Sequence, residues 1–317
     1  MAADEACKVA IVGAGSMARE HLRALVDVPG VIVAGIHSRT RSRAETLAKE
    51  FSVLAVYDSV PELYDETRAR LVVITVPETA MNTVSRSCFE FPWTVLLEKP
   101  PGYNIQDAEA IQSAATAKNR KVLVGLNRRF LSSTRIALSD LRQFEGPRFI
   151  HIQDQQSLEV AASFGHPKVV VENWMYANSI HVIDYFKVFG RGKVKTVTPV
   201  FPWDPGTPRV VVAKVEFDSG DTGLYEGIWQ GPGPWAVSVT TAEKRWEMRP
   251  LERAAFQVWG ERRLHPVEVH AWDDEFKPGF RLQAEQAVAA ALGKPSACPT
   301  LYQAMETMRL IRAIFGQ

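Results

Sequence analysis

Little in this chain is concentrated. Cysteine is scarce, with Cys7, Cys88 and Cys298 spread over 317 positions. Spaced so widely, the three form no metal-ligand pattern and no disulfide framework, and they point to a reducing, cytoplasmic setting. Charge of one sign is missing too. The 37 basic and 36 acidic side chains leave a formal net charge of +1. That balance gives no electrostatic case for nucleic acid or an anionic membrane as a partner. No apolar run approaches the length of a membrane span. The start, Met1-Ala-Ala-Asp-Glu-Ala6, lacks the basic residues and apolar core of a signal peptide. There is no Gly-x-Ser-x-Gly elbow, no phosphate-loop lysine motif, no repeat and no low-complexity stretch. What is present is an ordinary globular composition, 46% hydrophobic and 23% charged, in a chain long enough for two domains.

The most informative segment runs from Lys8 to Leu22. An apolar run, Val9–Val12, meets Gly13-Ala-Gly15-Ser-Met-Ala18 and then a helical pattern. This is the strand–turn–helix context of a dinucleotide-binding turn. Gly13 permits the tight exit from the strand. Gly15 has no Cβ, so backbone can approach a pyrophosphate. Ala18 replaces the third glycine and lets the helix pack closely. The phosphates would sit at the positive helix N-terminus, near Ser16 and Met17.

Strands and helices alternate through residue 127. Expected strands are Val9–Val12, Val31–Ile36, Val53–Val56, Ala69–Val76, Thr94–Leu97 and Val122–Leu126. The first helix should bury Ala18, Leu22, Leu25 and Val26. Asn104 should cap a helix from Ile105 to Lys118, with Asp107 in its first turn. Such alternation predicts a doubly wound parallel sheet, an α/β Rossmann domain over residues 1–127. The rhythm then changes. A helix is expected over Arg128–Phe144, and another from about Trp174 to Phe189 with Ile180, Ile183 and Val188 facing the core. Six strand-like runs divided by turn signals lie between Arg148 and Met248, and helices over Phe280–Leu292 and Leu301–Phe315 close the chain. Residues 128–317 therefore read as an α+β domain with a mostly antiparallel sheet.

After the second strand the chain reads Ile36-His37-Ser38-Arg39-Thr40-Arg41-Ser42-Arg43, with no carboxylate placed for a ribose 2′-hydroxyl. Ser38, Arg39 and Arg43 suit a 2′-phosphate instead, so NADP(H) is favoured, with NAD(H) still possible. Glu98-Lys99-Pro100 stands just past a parallel strand, on the edge where open α/β sheets bind ligands. His181 and Asp184 lie three apart on one helix. The pair His265 and His270, followed by Asp273 and Asp274, contains metal-ligand residue types, but its spacing matches no familiar site.

Taken together, Gly13-Ala-Gly15, Glu98-Lys99-Pro100, Val124-Gly-Leu-Asn127-Arg128-Arg129-Phe130 and His181-x-x-Asp184 resemble the glucose–fructose oxidoreductase/inositol dehydrogenase (Gfo/Idh/MocA) family. The likeness extends over nearly the whole chain, to Pro278-Gly-Phe280-Arg-Leu-Gln283. It implies a Rossmann domain followed by an α+β domain with a large open sheet, an active site between them, and a dimer or tetramer formed through the sheet. It also implies NAD(P)-dependent oxidation or reduction of a hydroxyl or ketone carbon on a sugar, nucleotide sugar or cyclitol. By that resemblance Lys99 holds the reacting oxygen and His181 is the general base or acid. Glu98, Lys99, Pro100 and Pro77 line the cofactor pocket, and Asn127 positions Lys99 or the cofactor. Trp174 and Asn178 join Lys99 and His181 around the substrate. Asp184 anchors the helix or orients His181. One position departs from the family: the Asp common one turn before the histidine is Ala177 here. Two other readings stand beside the sugar oxidoreductase. One is a non-catalytic dinucleotide-binding regulator of the same fold. The other is a reductase of a non-sugar ligand such as a diol or tetrapyrrole.

Overall fold

Six parallel strands form the first sheet of the computed structural model, which describes residues 6–317. The N-terminal segment read above against a signal peptide lies, but for Ala6, outside the described residues. Strands β1 (Cys7–Val12), β2 (Val31–His37), β3 (Val56–Tyr57), β4 (Leu71–Ile74), β5 (Thr94–Leu97) and β6 (Val122–Val124) run in the order β3-β2-β1-β4-β5-β6. This is the doubly wound order, whose direction of winding reverses between β1 and β4. Leu71 to Ile74 are all buried, as expected of a strand covered on both faces. The connecting helices are α1 (Ser16–Val26), α2 (Arg41–Phe51), α3 (Val60–Thr67), α4 (Glu78–Phe89) and α5 (Ile105–Ala117). On α1, Ala18, Leu22 and Leu25 are fully buried, each leucine contributing roughly 2 kcal/mol. Val26, expected with them, is exposed instead. Asn104 caps α5 by accepting from the Asp107 N–H at 2.9 Å, as its sequence position predicts.

The chain divides into two units. One comprises Met1–Asn127 and Asp274–Met305, the other Arg128–Asp273 and Glu306–Gln317. The break after Asn127 falls where the sequence rhythm changes, but the second piece is not continuous to residue 317. Residues 274–305 belong with the parallel sheet. There α12 (Phe280–Ala291) packs on α1, and the Val124 N–H donates to the Pro299 carbonyl at 2.9 Å.

The second unit is built on eight strands: β7 (Phe149–Gln155), β8 (Val194–Phe201), β9 (Val210–Phe217), β10 (Thr222–Ile228), β11 (Ala236–Thr240), β12 (Lys244–Met248), β13 (Ala254–Val258) and β14 (His265–Val267). Their order is β14-β13-β12-β11-β7-β10-β9-β8, and among the described residues only β7 and β10 of this sheet pair in parallel. Alternation decides the buried face. Val211, Ala213, Val215 and Phe217 on β9 point inward, as do Ile150, Ile152 and Asp154 on β7. Against that face lie α6 (Ser132–Leu141) and the segment from Met175 to Phe189, while α7 (Leu158–Ser163) and α8 (Lys168–Glu172) pack on each other ahead of that segment.

Two helices expected to be continuous are broken. Residues 128–144 begin as a 3₁₀ turn, and Leu131 is extended before α6. The Asp273 carboxylate accepts from the Ser132 N–H at 2.7 Å and its hydroxyl at 2.6 Å, which starts α6 at Ser132. Residues 174–189 comprise a π-helical turn, Met175–Ser179, then α9 (Ile180–Ile183) and α10 (Tyr185–Phe189). Ile180 and Ile183 are fully buried, whereas Val188 is only half-buried. The short α11 (Trp272–Glu275) precedes α12, and α13 (Leu301–Phe315) ends the chain.

Asp221 is the main polar tie of the second unit. Fully buried, it accepts from the Arg148 N–H and the Arg191 N–H, both at 2.9 Å, and from the Arg191 guanidinium at 2.6 and 3.0 Å. Burial alone would push its carboxyl up, but these bonds outweigh burial and hold it below the usual carboxylate range. A depressed folded-state pKa contributes stability above the unfolded value that is lost as pH falls through the folded one. We predict that Asp221→Ala lowers the urea-unfolding free energy at pH 7 by about 3 kcal/mol. The gap to the parent should shrink in unfolding curves taken below roughly pH 4.

Candidate functional site

On the first unit, the candidate cofactor residues collect along the C-terminal edge of the parallel sheet. Gly13 leaves β1 with φ +114°, and a Cβ there would lie 2.6 Å from the Thr75 carbonyl oxygen. Only glycine allows β1 and β4 to exit so close together at the reversal point of the sheet. A Cβ on Gly15, by contrast, would meet nothing within 4 Å, so open space stands above the turn. Gly15 and Ser16 are exposed, Met17 is half-buried, and among the described residues no side chain caps the N–H groups that open α1. No acidic side chain occupies the first turn. This uncapped, uncluttered helix start fits an anionic pyrophosphate.

At the end of β2, the His37 ring bonds the Tyr57 carbonyl at 3.0 Å, and the Ser38 hydroxyl accepts from the Thr40 N–H at 3.3 Å. Arg41 is engaged by Glu45 and Asp58. Arg39 and Arg43 are exposed and make no ion pair among the described residues. Pro77, also exposed, stands at the start of α4.

Glu98 follows β5 directly and is buried, with its Oε2 at 2.7 Å from the His21 Nε2. His21 is buried on α1, its ring against Phe280 of α12 at 4.7 Å. The helix that opens at the glycine turn thus also holds the residue next to Lys99. Lys99 is half-buried and Pro100 buried. Asn127 is buried and donates to the Pro278 carbonyl at 2.9 Å, tying the end of the domain to the approach to α12. Gln283 of α12 is buried beside Gly125 and Glu98. Neither amide atom of Gln283 has a partner among the described residues.

On the second unit, Asp184 anchors the helical segment carrying His181. Its carboxylate takes two bonds from Arg129, at 2.6 and 2.7 Å, and a third from the Thr307 hydroxyl at 2.7 Å. His181 is buried, with its ring centroid 6.1 Å from that of Trp235. Ala177 is buried within the π-helical turn.

Around Gln156 the sense of the hydrogen bonds is dictated by chemistry. The Trp174 indole can only donate, and it donates to the Gln156 Oε1 at 2.9 Å. The same oxygen accepts from the Asn178 Nδ2 at 2.9 Å, so the Gln156 amide nitrogen must face the buried Asp154, 2.6 Å away. The other oxygen of Asp154 accepts from the Tyr225 hydroxyl at 2.8 Å. Burial pushes the Asp154 carboxyl up, against the pull of these bonds. With its nitrogen committed to Gln156, half-buried Asn178 offers its amide oxygen as an acceptor. Trp174 is half-buried beside it.

Asp154, Gln156 and His21 were not singled out in the sequence, yet each left a signal. Asp154 and Gln156 fall at every second position after Ile150 and Ile152, on the inward side of β7. His21 stands three residues after Ala18, on the apolar face of α1. The histidines and aspartates near the chain's end have other partners. His265 bonds Glu261 at 2.8 Å, and Asp273 starts α6.

Residues 7–126 match the family model described as "Oxidoreductase family, NAD-binding Rossmann fold". Over these residues the chain matches the Gfo/Idh/MocA family model. The chain is 26% identical over 132 residues to a glucose-6-phosphate 3-dehydrogenase of Bacillus subtilis, a match covering 42% of this chain and 37% of that protein. It is 22% identical over 191 residues to a 4-carboxy-2-hydroxymuconate-6-semialdehyde dehydrogenase of a Sphingobium species, covering 59% of this chain and 60% of that one. The matched segments thus span less than two thirds of either curated relative. In fold, the chain is similar to a dehydrogenase from Chromobacterium violaceum, with a TM-score of 0.84 at 19% identity, over 99% of this chain and 95% of the other. That likeness in fold takes in the second unit, with its mostly antiparallel sheet, as well as the residues that match the family model. Among the described residues no helix is long and apolar enough to cross a membrane.

The Gln156 lock gives a direct test. Gln156→Glu would set a second carboxylate against Asp154, raising the pKa of the pair, so its stability should be lost as pH rises. We expect the variant to unfold within a few degrees of the parent at pH 5. At pH 8 its unfolding free energy should fall short by about 2 kcal/mol or more in urea titrations.

Proposed function

We propose that this chain is an NADP(H)-preferring oxidoreductase that transfers hydride to or from a hydroxyl or ketone carbon of a sugar, nucleotide sugar or cyclitol. One observation carries the reading. The uncapped glycine turn and Glu98-Lys99-Pro100 lie on the same edge of the parallel sheet, joined through the His21–Glu98 bond. The nicotinamide supplies or accepts the hydride when bound. Lys99 hydrogen-bonds and polarises the reacting oxygen, and His181 takes the hydroxyl proton in oxidation or returns it in reduction. Glu98 and Pro100 shape the pocket beside the nicotinamide, Asn127 holds the strand end, and Trp174 and Asn178 contact the substrate. Gly13, Gly15, Ser16, Met17 and Pro77 border the rest of the dinucleotide. The thiols of Cys7, Cys88 and Cys298 are buried and form no disulfide among the described residues, which supports a reducing, cytoplasmic setting. The uncovered face of the eight-stranded sheet suits a homodimer or homotetramer.

The preference for NADP(H) rests on Ser38, Arg39 and Arg43, with Arg41 already paired and no carboxylate placed for the ribose. Fluorescence titration should give tighter binding of NADPH than of NADH. Arg39→Ala should erase most of that difference, weakening NADPH about tenfold while leaving NADH unchanged. Tighter NADH binding by the parent protein would reverse the assignment.

For the chemistry, Lys99→Ala and His181→Ala should each lower kcat by about a hundredfold or more, with the Kd for NADPH within a factor of about two. Turnover is followed as loss of reduced cofactor over a panel of keto-sugars. Undiminished turnover in both variants would remove the mechanism. Bound NADPH that no member of the panel oxidises would favour a non-catalytic regulator.

A further inference from the structure

We propose that Arg128 and Trp235 form a seat for an anionic group, a phosphate ester or a carboxylate, on the hydroxylated compound that His181 serves. This rests on the oxidoreductase reading above and adds the charge of the substrate to it.

Among the described residues, several buried and half-buried arginines have visible obligations. Arg129 grips Asp184 with two bonds. Arg191 grips Asp221, and Arg281 pairs with Asp27 and Glu285. Arg148 donates to the Phe189 and Leu141 carbonyls at 2.8 and 2.7 Å. Arg128 makes no ion pair among the described residues, and its Nε is sealed from solvent with no acceptor. The charges that act on it are those of Asp154 and Glu252, with the Tyr185 phenol nearby. None is within ion-pair distance, and the Asp154 oxygens already accept from Gln156 and Tyr225. Burial lowers the affinity of Arg128 for its proton, the mark of a cation short of solvation, yet a guanidinium stays charged.

Its setting is that of a recognition site. The guanidinium carbon lies 4.7 Å from the centre of the Trp235 ring, so one face is covered by indole. Trp235 is fixed by donating from its Nε1 to the Gln155 carbonyl at 2.9 Å, and its ring is 6.1 Å from that of His181. A planar fork stacked in this way is prearranged to meet two oxygens of a carboxylate or phosphate. The Asn178 amide oxygen, three residues before His181, accepts from a hydroxyl. Cation and acceptor together describe a polyol that carries negative charge.

Calorimetric binding by the full chain, with NADPH present and absent, tests the seat without turnover. The probes are glucose 6-phosphate, glucuronate and glucose. At least one anion should bind roughly tenfold or more tightly than glucose, and the better of the two identifies phosphate ester or carboxylate. Arg128→Met should abolish that advantage and leave glucose binding unchanged. Arg128→Lys and Trp235→Phe, which keep the charge or the ring, should each reduce it, and they carry the test if Arg128→Met does not fold. Glucose binding as tightly as both anions, no anion binding, or an advantage that survives in the variants would overturn the proposal. An anion seated through Arg128 in a protein that never oxidises NADPH would instead strike only the activity.

Discussion

A carboxylate inside a protein must be matched by donors, because an unmatched buried charge costs several kcal/mol. Glu98, Asp154, Asp184 and Asp221 are all buried here. Each is met from a different element of the chain, and each match holds a segment near candidate chemistry. Asp184 joins the His181 segment to Arg129 and Thr307, residues 55 and 123 positions away. Asp221 joins β10 to the start of β7 and to the turn after α10. Asp154 joins β7 to β10 through Tyr225 and, by way of Gln156, to the π-helical turn.

Glu98 does the corresponding work on the parallel sheet. Its partner His21 lies on α1, the helix whose N-terminus opens at the glycine turn. One rigid element therefore touches both the phosphate-binding end of the candidate cofactor site and the residue beside Lys99. A helix of 11 residues transmits position well, because its backbone bonds leave little freedom between Ser16 and His21.

Much of this was legible along the chain. The strand–turn–helix signature, the strand at Thr94–Leu97, the Asn104 cap and the final helix appear where local pattern puts them. Local pattern succeeds there because period and capping are short-range properties. It failed at Leu131, where a helix begins late because Asp273, 141 residues on, supplies the first-turn acceptor. It failed at 175–179 as well, where the π-helical turn leaves no mark in hydrophobic spacing. It also missed the return of residues 274–305 to the parallel sheet, since sequence adjacency says nothing of which core a late helix joins.

The sequence by itself determined the class of each sheet, the glycine turn and the residue types available for chemistry. Periodicity and backbone permissiveness are carried by each residue and its near neighbours. Only the tertiary structure decided which polar groups are committed and which are still available. Trp174 can only donate, and that single constraint turns Gln156, then Asn178, and leaves the Asn178 amide oxygen as an acceptor. Arg128 and Arg129 are identical in kind and adjacent in sequence. Arg129 is neutralised by Asp184, whereas Arg128 lies on Trp235 with no ion pair among the described residues, because hydrogen bonds and ion pairs are made in space between residues far apart in the chain.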